Sequence, residues 1–148
     1  MSETLIVKYN NIEVLWREEL NGGGISYGQQ YIPVVKQLFG KVGRVHEFCA
    51  GPGFIGFSLL AEGLCDSLCL SDINIEAIKC TQGTIKNNGL EDKVSVYHSN
   101  GLSNIPNSEK WDLVVSNPPH FYEAAGREIV SDDPNWEIHQ KFYEQVAQ

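Results

Sequence analysis

Gly51, Gly53 and Gly56 stand in the spacing G-x-G-x-x-G directly after the short run Arg44 to Cys49, and this constrains the fold more than any other feature of the chain. Such spacing suits a strand that turns tightly into a helix. Two points without side chains let a ligand lie against the backbone, and the third glycine lets the helix pack closely on the strand. The spacing alone is common, so its weight depends on what surrounds it.

From Gly43 onward, short apolar runs alternate with helical stretches, a pattern that predicts an α/β fold with a parallel sheet covered by helices on both faces. The expected strands are Arg44 to Cys49, Ser67 to Ser71, Val94 to His98 and Leu113 to Ser116, and the expected helices are Gly56 to Glu62, Ile75 to Asn87 and Asn135 to Val146. For the last helix, Asp133 is the expected cap, Pro134 suits the first position, and Ile138, Phe142 and Val146 recur on one face. A sheet ending at Leu113 to Ser116 has an unpaired edge. The expected remedies are pairing with a second copy as a homodimer, or cover from the N-terminal hairpin or from Tyr122 to Gln148.

That hairpin is predicted from Leu5 to Tyr9 and Ile12 to Trp16, joined by Asn10 and Asn11. Gly22, Gly23 and Gly24 then interrupt regular structure and read as a plain connector, with a hinge or lid as the alternative. A helical segment is expected between Ser26 and Phe39, restarting or kinking at Pro33. The chain divides on this reading into residues 1–41, a hairpin and helix serving as lid or substrate-side extension, and residues 42–148, the α/β part that carries the glycine turn.

A length of 148 residues with 42% hydrophobic and 20% charged residues describes one domain. No apolar run approaches the ~20 residues that span a bilayer, and the first residues lack a basic segment followed by an apolar one, so a cytoplasmic location with no membrane partner is expected. The 19 acidic and 11 basic residues give a net charge of −8, with no basic cluster to attract a polyanion. Cys49, Cys65, Cys69 and Cys80 lack Cys-x-x-Cys spacing and read as reduced, mostly buried thiols rather than metal ligands.

Two carboxylates sharpen the glycine turn. Asp72, at the end of the second strand, is placed to accept from both hydroxyls of a ribose. Glu47 lies four residues before Gly51, where a dinucleotide-binding strand would carry an apolar residue. A carboxylate there suits a cofactor with a positive end and repels a pyrophosphate, which favours S-adenosylmethionine over a nicotinamide dinucleotide. The plainer reading of Glu47 is a strand-end group facing water. After the fourth strand, Asn117-Pro118-Pro119-His120-Phe121 forms a rigid loop rich in acceptors. The Asn117 side-chain oxygen and the Pro118 carbonyl suit a planar NH2, with His120 or Phe121 as a stacking face; the plainer reading is a turn.

With these motifs in this order, residues 42–148 resemble the class I S-adenosylmethionine-dependent methyltransferases. Within them the chain is similar to the amino-methylating small-domain group with an Asn/Asp-Pro-Pro-aromatic loop, which includes release-factor glutamine and several nucleic-acid N-methyltransferases. The resemblance implies a Rossmann-like, doubly wound parallel sheet, incomplete at its C-terminal side because the class carries about seven strands. It places Glu47, Gly51 and Gly53 beside the methionine part of S-adenosyl-L-methionine, Asp72 on the ribose, Ile73 beside the adenine and Asn100 on the adenine amino group. Asn117, Pro118, Pro119 and His120 become the target-amine loop. Cys49, Asn100 and His120 depart from the commoner glycine, acid and aromatic. The implied activity is N-methylation of a protein glutamine or a nucleic-acid base. The rivals are a cofactor-binding fragment that self-associates without turnover and, ranked lower, a nicotinamide-dependent oxidoreductase.

Overall fold

The structure, a computed structural model, describes residues 2–119 and 136–147. Strands β1 (Leu5–Tyr9) and β2 (Ile12–Trp16) pair antiparallel as the expected hairpin, turning at Asn10, whose φ of 49° is left-handed. Strands β3 (Val42–Phe48), β4 (Cys65–Asp72), β5 (Val94–His98) and β6 (Leu113–Ser116) form a second, parallel sheet in the order β5-β4-β3-β6. The chain thus runs outward from β3 to β5 and returns to the other side of β3. The order reverses between β3 and β6, and ligands of open α/β sheets bind beyond the strand ends at such a point. Register brings Phe48 opposite both Ser71 and Ser116, so β3, β4 and β6 finish at one level.

Between the strands lie α3 (Phe54–Ala61) and α4 (Ile75–Asn87), preceded in the chain by α1 (Gly24–Tyr27) and α2 (Tyr31–Leu38) and followed by α5 (Glu137–Gln145). Pro33 sits in the first turn of α2, where an amide proton would have no helical partner. Helix α3 begins two residues before the expected Gly56, because Gly53 takes φ 88° and starts the helix from a left-handed cap. Helix α5 starts at Glu137 after Trp136 in a left-handed conformation. Its expected cap, Asp133, and Pro134 lie outside the described residues, as does His120.

Apolar side chains of β3 and β4, including Val45, Leu68 and Leu70, pack with Phe54, Phe57 and Leu59 of α3 in a core that also takes in Tyr9, Ile12 and Val14 of the hairpin. The edge of β2 is bonded by side chains of α4 and its C-cap: Thr84 accepts from the Leu15 amide at 2.9 Å, and the cap residue Asn88 accepts from the Glu13 amide at 3.0 Å. The hairpin therefore lies against α3 and α4 rather than at β6. Helix α5 lies over the other face of the sheet, with Phe142 stacked on Phe48 at 4.6 Å between ring centroids. Among the described residues no strand pairs with the outer side of β6, and none of their helices is long and apolar enough to cross a membrane.

That other face is unusually polar. His46 is fully buried on it, tilted against Trp111 at 4.1 Å, with Nε2 2.7 Å from the Ser71 hydroxyl and no partner for Nδ1. A second proton would be orphaned, and burial pushes the imidazole down to about 4. The unfolded chain binds that proton near pH 6.5, so acidification from 6.5 through 4 favours unfolding, by about 3 kcal/mol in all. Histidine resonances followed by NMR are expected to show His46 unprotonated at pH 5.5; a midpoint near 6.5 would contradict this packing.

Candidate functional site

The glycine turn is built as its spacing requires. Gly51 and Gly53 take φ of 52° and 88°, and a Cβ on Gly53 would stand 2.7 Å from Phe57. A Cβ on Gly56 would meet Leu68 at 2.7 Å, so the third glycine is what lets α3 lie on β4. Cys49, with φ 54°, ends β3 one residue earlier than its apolar run suggests.

Glu47 does not face water. It is 2% exposed, and its Oε1 accepts from the Gly56 amide at 2.6 Å, with the Ile55 amide also directed at the carboxyl. The side chain caps the first turn of α3 from inside the fold. These are the donors that a pyrophosphate takes at a dinucleotide site, so the helix terminus is already occupied by a protein oxygen. Burial pushes the carboxyl up to about 8, the two amides partly offset this, and the charge of Asp72 adds to the rise.

Asp72 reaches across from the end of β4. Its Oδ2 accepts from the Gly51 amide at 2.8 Å and its Oδ1 from the Asn74 amide at 2.8 Å. Burial raises its pKa, against these bonds. The Ile73 amide is also directed at the carboxyl, whose remaining acceptor capacity is open to a ligand hydroxyl. Ile73 beside it is 62% exposed, a large apolar group left open at the rim.

These groups line one cavity of about 680 Å³, within the size range of small-molecule sites. Glu47, Gly51, Asp72, Ile73, Asn100, Asn117, Pro118 and Pro119 all border it, so most of the residues expected from sequence come together; Gly53 is not among the residues that line it. Glu19, Glu47 and Asp72 are its acidic lining, and no lysine or arginine lines it among the described residues. Its electrostatics therefore suit a cationic ligand and oppose a phosphate.

Sequence reading missed one wall. Leu20, Gly22 and Gly24 border the cavity, and a Cβ on Gly24 would stand 2.4 Å from the Phe54 ring. The triple glycine is thus not a plain connector, since its segment packs on the start of α3. Tyr31 of α2 donates to the Ser116 carbonyl at 2.9 Å, and Ser116 in turn donates to the Phe48 carbonyl at 2.6 Å, fixing the backbone that leads to Asn117. Cys65 and Cys69, away from the cavity, are not activated nucleophiles: burial pushes Cys65 up to about 11 and Cys69 up to about 12, where each stays a thiol.

A glycine turn, an acidic residue on the next strand and an Asn-Pro-Pro loop meet around one acidic cavity at the strand ends of an open α/β sheet. The methyltransferase small domain family matches residues 30–132, and the chain belongs to it. Among its relatives, a bifunctional methyltransferase of Rickettsia typhi is 37% identical over 97 residues, which is 65% of this chain and 18% of that protein. A release factor glutamine methyltransferase of Leptospira interrogans is 31% identical over 109 residues, 72% of this chain and 38% of the relative. The chain therefore spans well under half the length of these relatives. Among solved structures, the M. jannaschii tRNA m1G37 methyltransferase superposes with a TM-score of 0.56 and 22% identity over 81% of this chain and 36% of that one, a likeness of fold.

Proposed function

We propose that this chain binds S-adenosyl-L-methionine and serves an N-methyltransferase whose acceptor is a planar amide, the side chain of a glutamine on a protein partner. The observation that carries the reading is the single cavity in which the glycine turn, Asp72 and the Asn-Pro-Pro loop meet, lined by carboxylates and by no basic residue among those described. Asp72 holds the ribose hydroxyls, Ile73 flanks the adenine, Asn100 accepts from its amino group, and Gly51 leaves the backbone open beside the methionine part, with Gly53 shaping the turn. Glu47 stands behind that part, capping α3, and the positive charge of a bound cofactor would favour its ionised form. When bound, the cofactor presents a methyl group on a positively charged sulfur.

The chain's own contribution is alignment. The Asn117 side-chain oxygen and the Pro118 carbonyl accept from the acceptor's NH2 and turn its lone pair toward the methyl carbon. His120, outside the described residues, completes that loop in the proposal. The proton leaves the nitrogen after transfer, so no strong base is required. A protein acceptor is favoured over a nucleic acid by the net charge of −8. The family and the relatives that methylate release-factor glutamine support both parts of this reading.

The test is methyl transfer from labelled cofactor to a glutamine-containing peptide and, separately, to a short RNA. Label in the peptide is expected. Label in the RNA alone would overturn the protein acceptor. S-adenosylhomocysteine binding without any transfer would favour the rival reading, a cofactor-binding module that self-associates through the free edge of β6.

A further inference from the structure

The side-chain amide of Asn117 is held by its donor end. Its Nδ2 donates to the Gly22 carbonyl at 3.2 Å, across 95 positions of sequence. A carbonyl oxygen accepts only, so this contact decides which way round the amide stands: the NH2 faces the N-terminal segment, and Oδ1 is the end that remains for a ligand. Among the described residues Oδ1 has no hydrogen-bond partner, while Asn117 borders the cavity.

The Gly22 carbonyl is itself positioned. Asn21 accepts with its Oδ1 from the amides of Gly23 at 3.0 Å and Ile25 at 3.3 Å, a local turn that holds the loop in shape. Gly23 takes φ 102°, and Gly24 and Gly28 lie so close to Phe54 that a Cβ on either would stand 3.0 Å or less from its side chain. A loop that shallow keeps its backbone against α3 with little room to shift.

We infer that the Gly22 carbonyl, set by the Asn21 turn, is a positioning group that orients the Asn117 amide so that its oxygen meets the acceptor amine. This rests on the methyltransferase reading above and goes beyond it, since it makes the N-terminal segment part of the acceptor site. It also reverses the simple expectation for Asn117→Asp. If Asn117 were only an acceptor, aspartate would preserve its role. Facing the Gly22 carbonyl, an ionised aspartate sets oxygen against oxygen, loses the bond and turns away.

Asn117→Asp is therefore expected to lose turnover on the glutamine peptide by about 30-fold or more and to lie within about threefold of Asn117→Ala, while both bind S-adenosylhomocysteine within about threefold of the parent. Asn21→Ala, which touches neither the acceptor nor Asn117, is expected to lower kcat with little change in peptide KM. A direct readout needs no turnover. In labelled protein, the Asn117 side-chain NH2 is expected to show slowed exchange and a coupling through the hydrogen bond to the Gly22 carbonyl carbon, with Asn117→Ala shifting the Gly22 to Ile25 amides. An Asn117 NH2 that exchanges as a free amide, or an Asn117→Asp protein that keeps most of the parent's turnover, would overturn the inference. Failure of the parent to bind S-adenosylhomocysteine would instead count against the methyltransferase reading, leaving the NMR result to decide the clamp.

Discussion

Asp72→Ala is expected to weaken S-adenosylhomocysteine binding by about 100-fold, because it removes two kinds of contact at once. The ligand loses the acceptors for both ribose hydroxyls. The protein loses the groups that hold the Gly51 and Asn74 amides, each bonded to the carboxylate at 2.8 Å. The glycine turn keeps its bond from the Ala50 amide to the Ser71 carbonyl of β4 but loses the one at Gly51, and the wall against which the cofactor lies loosens. Asp72→Asn retains one acceptor but turns a donor toward one of the two amides, so it is expected to fall between parent and alanine. Titration calorimetry on folded variants, their folding checked by circular dichroism, reads both. An alanine variant that bound as tightly as the parent would remove Asp72 from the site.

The ligand-free protein is expected to lose stability as pH rises through neutrality. Folded, the Glu47 carboxyl keeps its proton up to about pH 8, since ionising it would bury a charge that no cation among the described lining residues balances. Unfolded, it ionises near 4.5. Between these values the folded state binds more protons, so its stability falls with rising pH, by about 4 kcal/mol across the whole interval. Asp72, also raised by burial, acts in the same direction. His46 opposes both below pH 6.5, so the clearest window is from 6.5 to 8, where the loss amounts to about 2 kcal/mol. Glu47→Gln keeps an oxygen for the Gly56 amide and cannot ionise, and it should flatten the profile in urea unfolding. A parent protein equally stable at pH 6.5 and 9 would show that Glu47 is already ionised.

The parts of this architecture that rest on local pattern were legible in the sequence. Strands β5 and β6 and helix α4 lie where alternation and capping put them, with Asn74 accepting from the Glu76 amide at 3.0 Å as the α4 cap. The glycine turn and Asp72 were legible because their spacing is set by the chain itself. Strand β4 runs longer than expected, from Cys65, because Cys65 pairs with Val42 and so extends the ladder past a charged Asp66 that breaks the apolar run. What depends on distant contacts was hidden. Glu47 reads as a ligand group or a solvated strand end, and its bond to Gly56 exists only once α3 folds back over β3. The triple glycine reads as a spacer, because nothing local shows that Phe54 will occupy the space beside it. The buried His46 sits on a face whose cover, Trp111 and α5, comes from sequence far downstream.

A cavity built for a nucleoside cofactor with a positive end should reject one with a pyrophosphate. Titration calorimetry of the protein with S-adenosylhomocysteine and, in parallel, with NADH tests it most directly. Saturable binding of S-adenosylhomocysteine at micromolar concentration or below is expected, with no measurable heat from NADH. Tight binding of NADH with none of S-adenosylhomocysteine would contradict it, since a pyrophosphate would then have displaced Glu47 from the amides of Gly56 and Ile55.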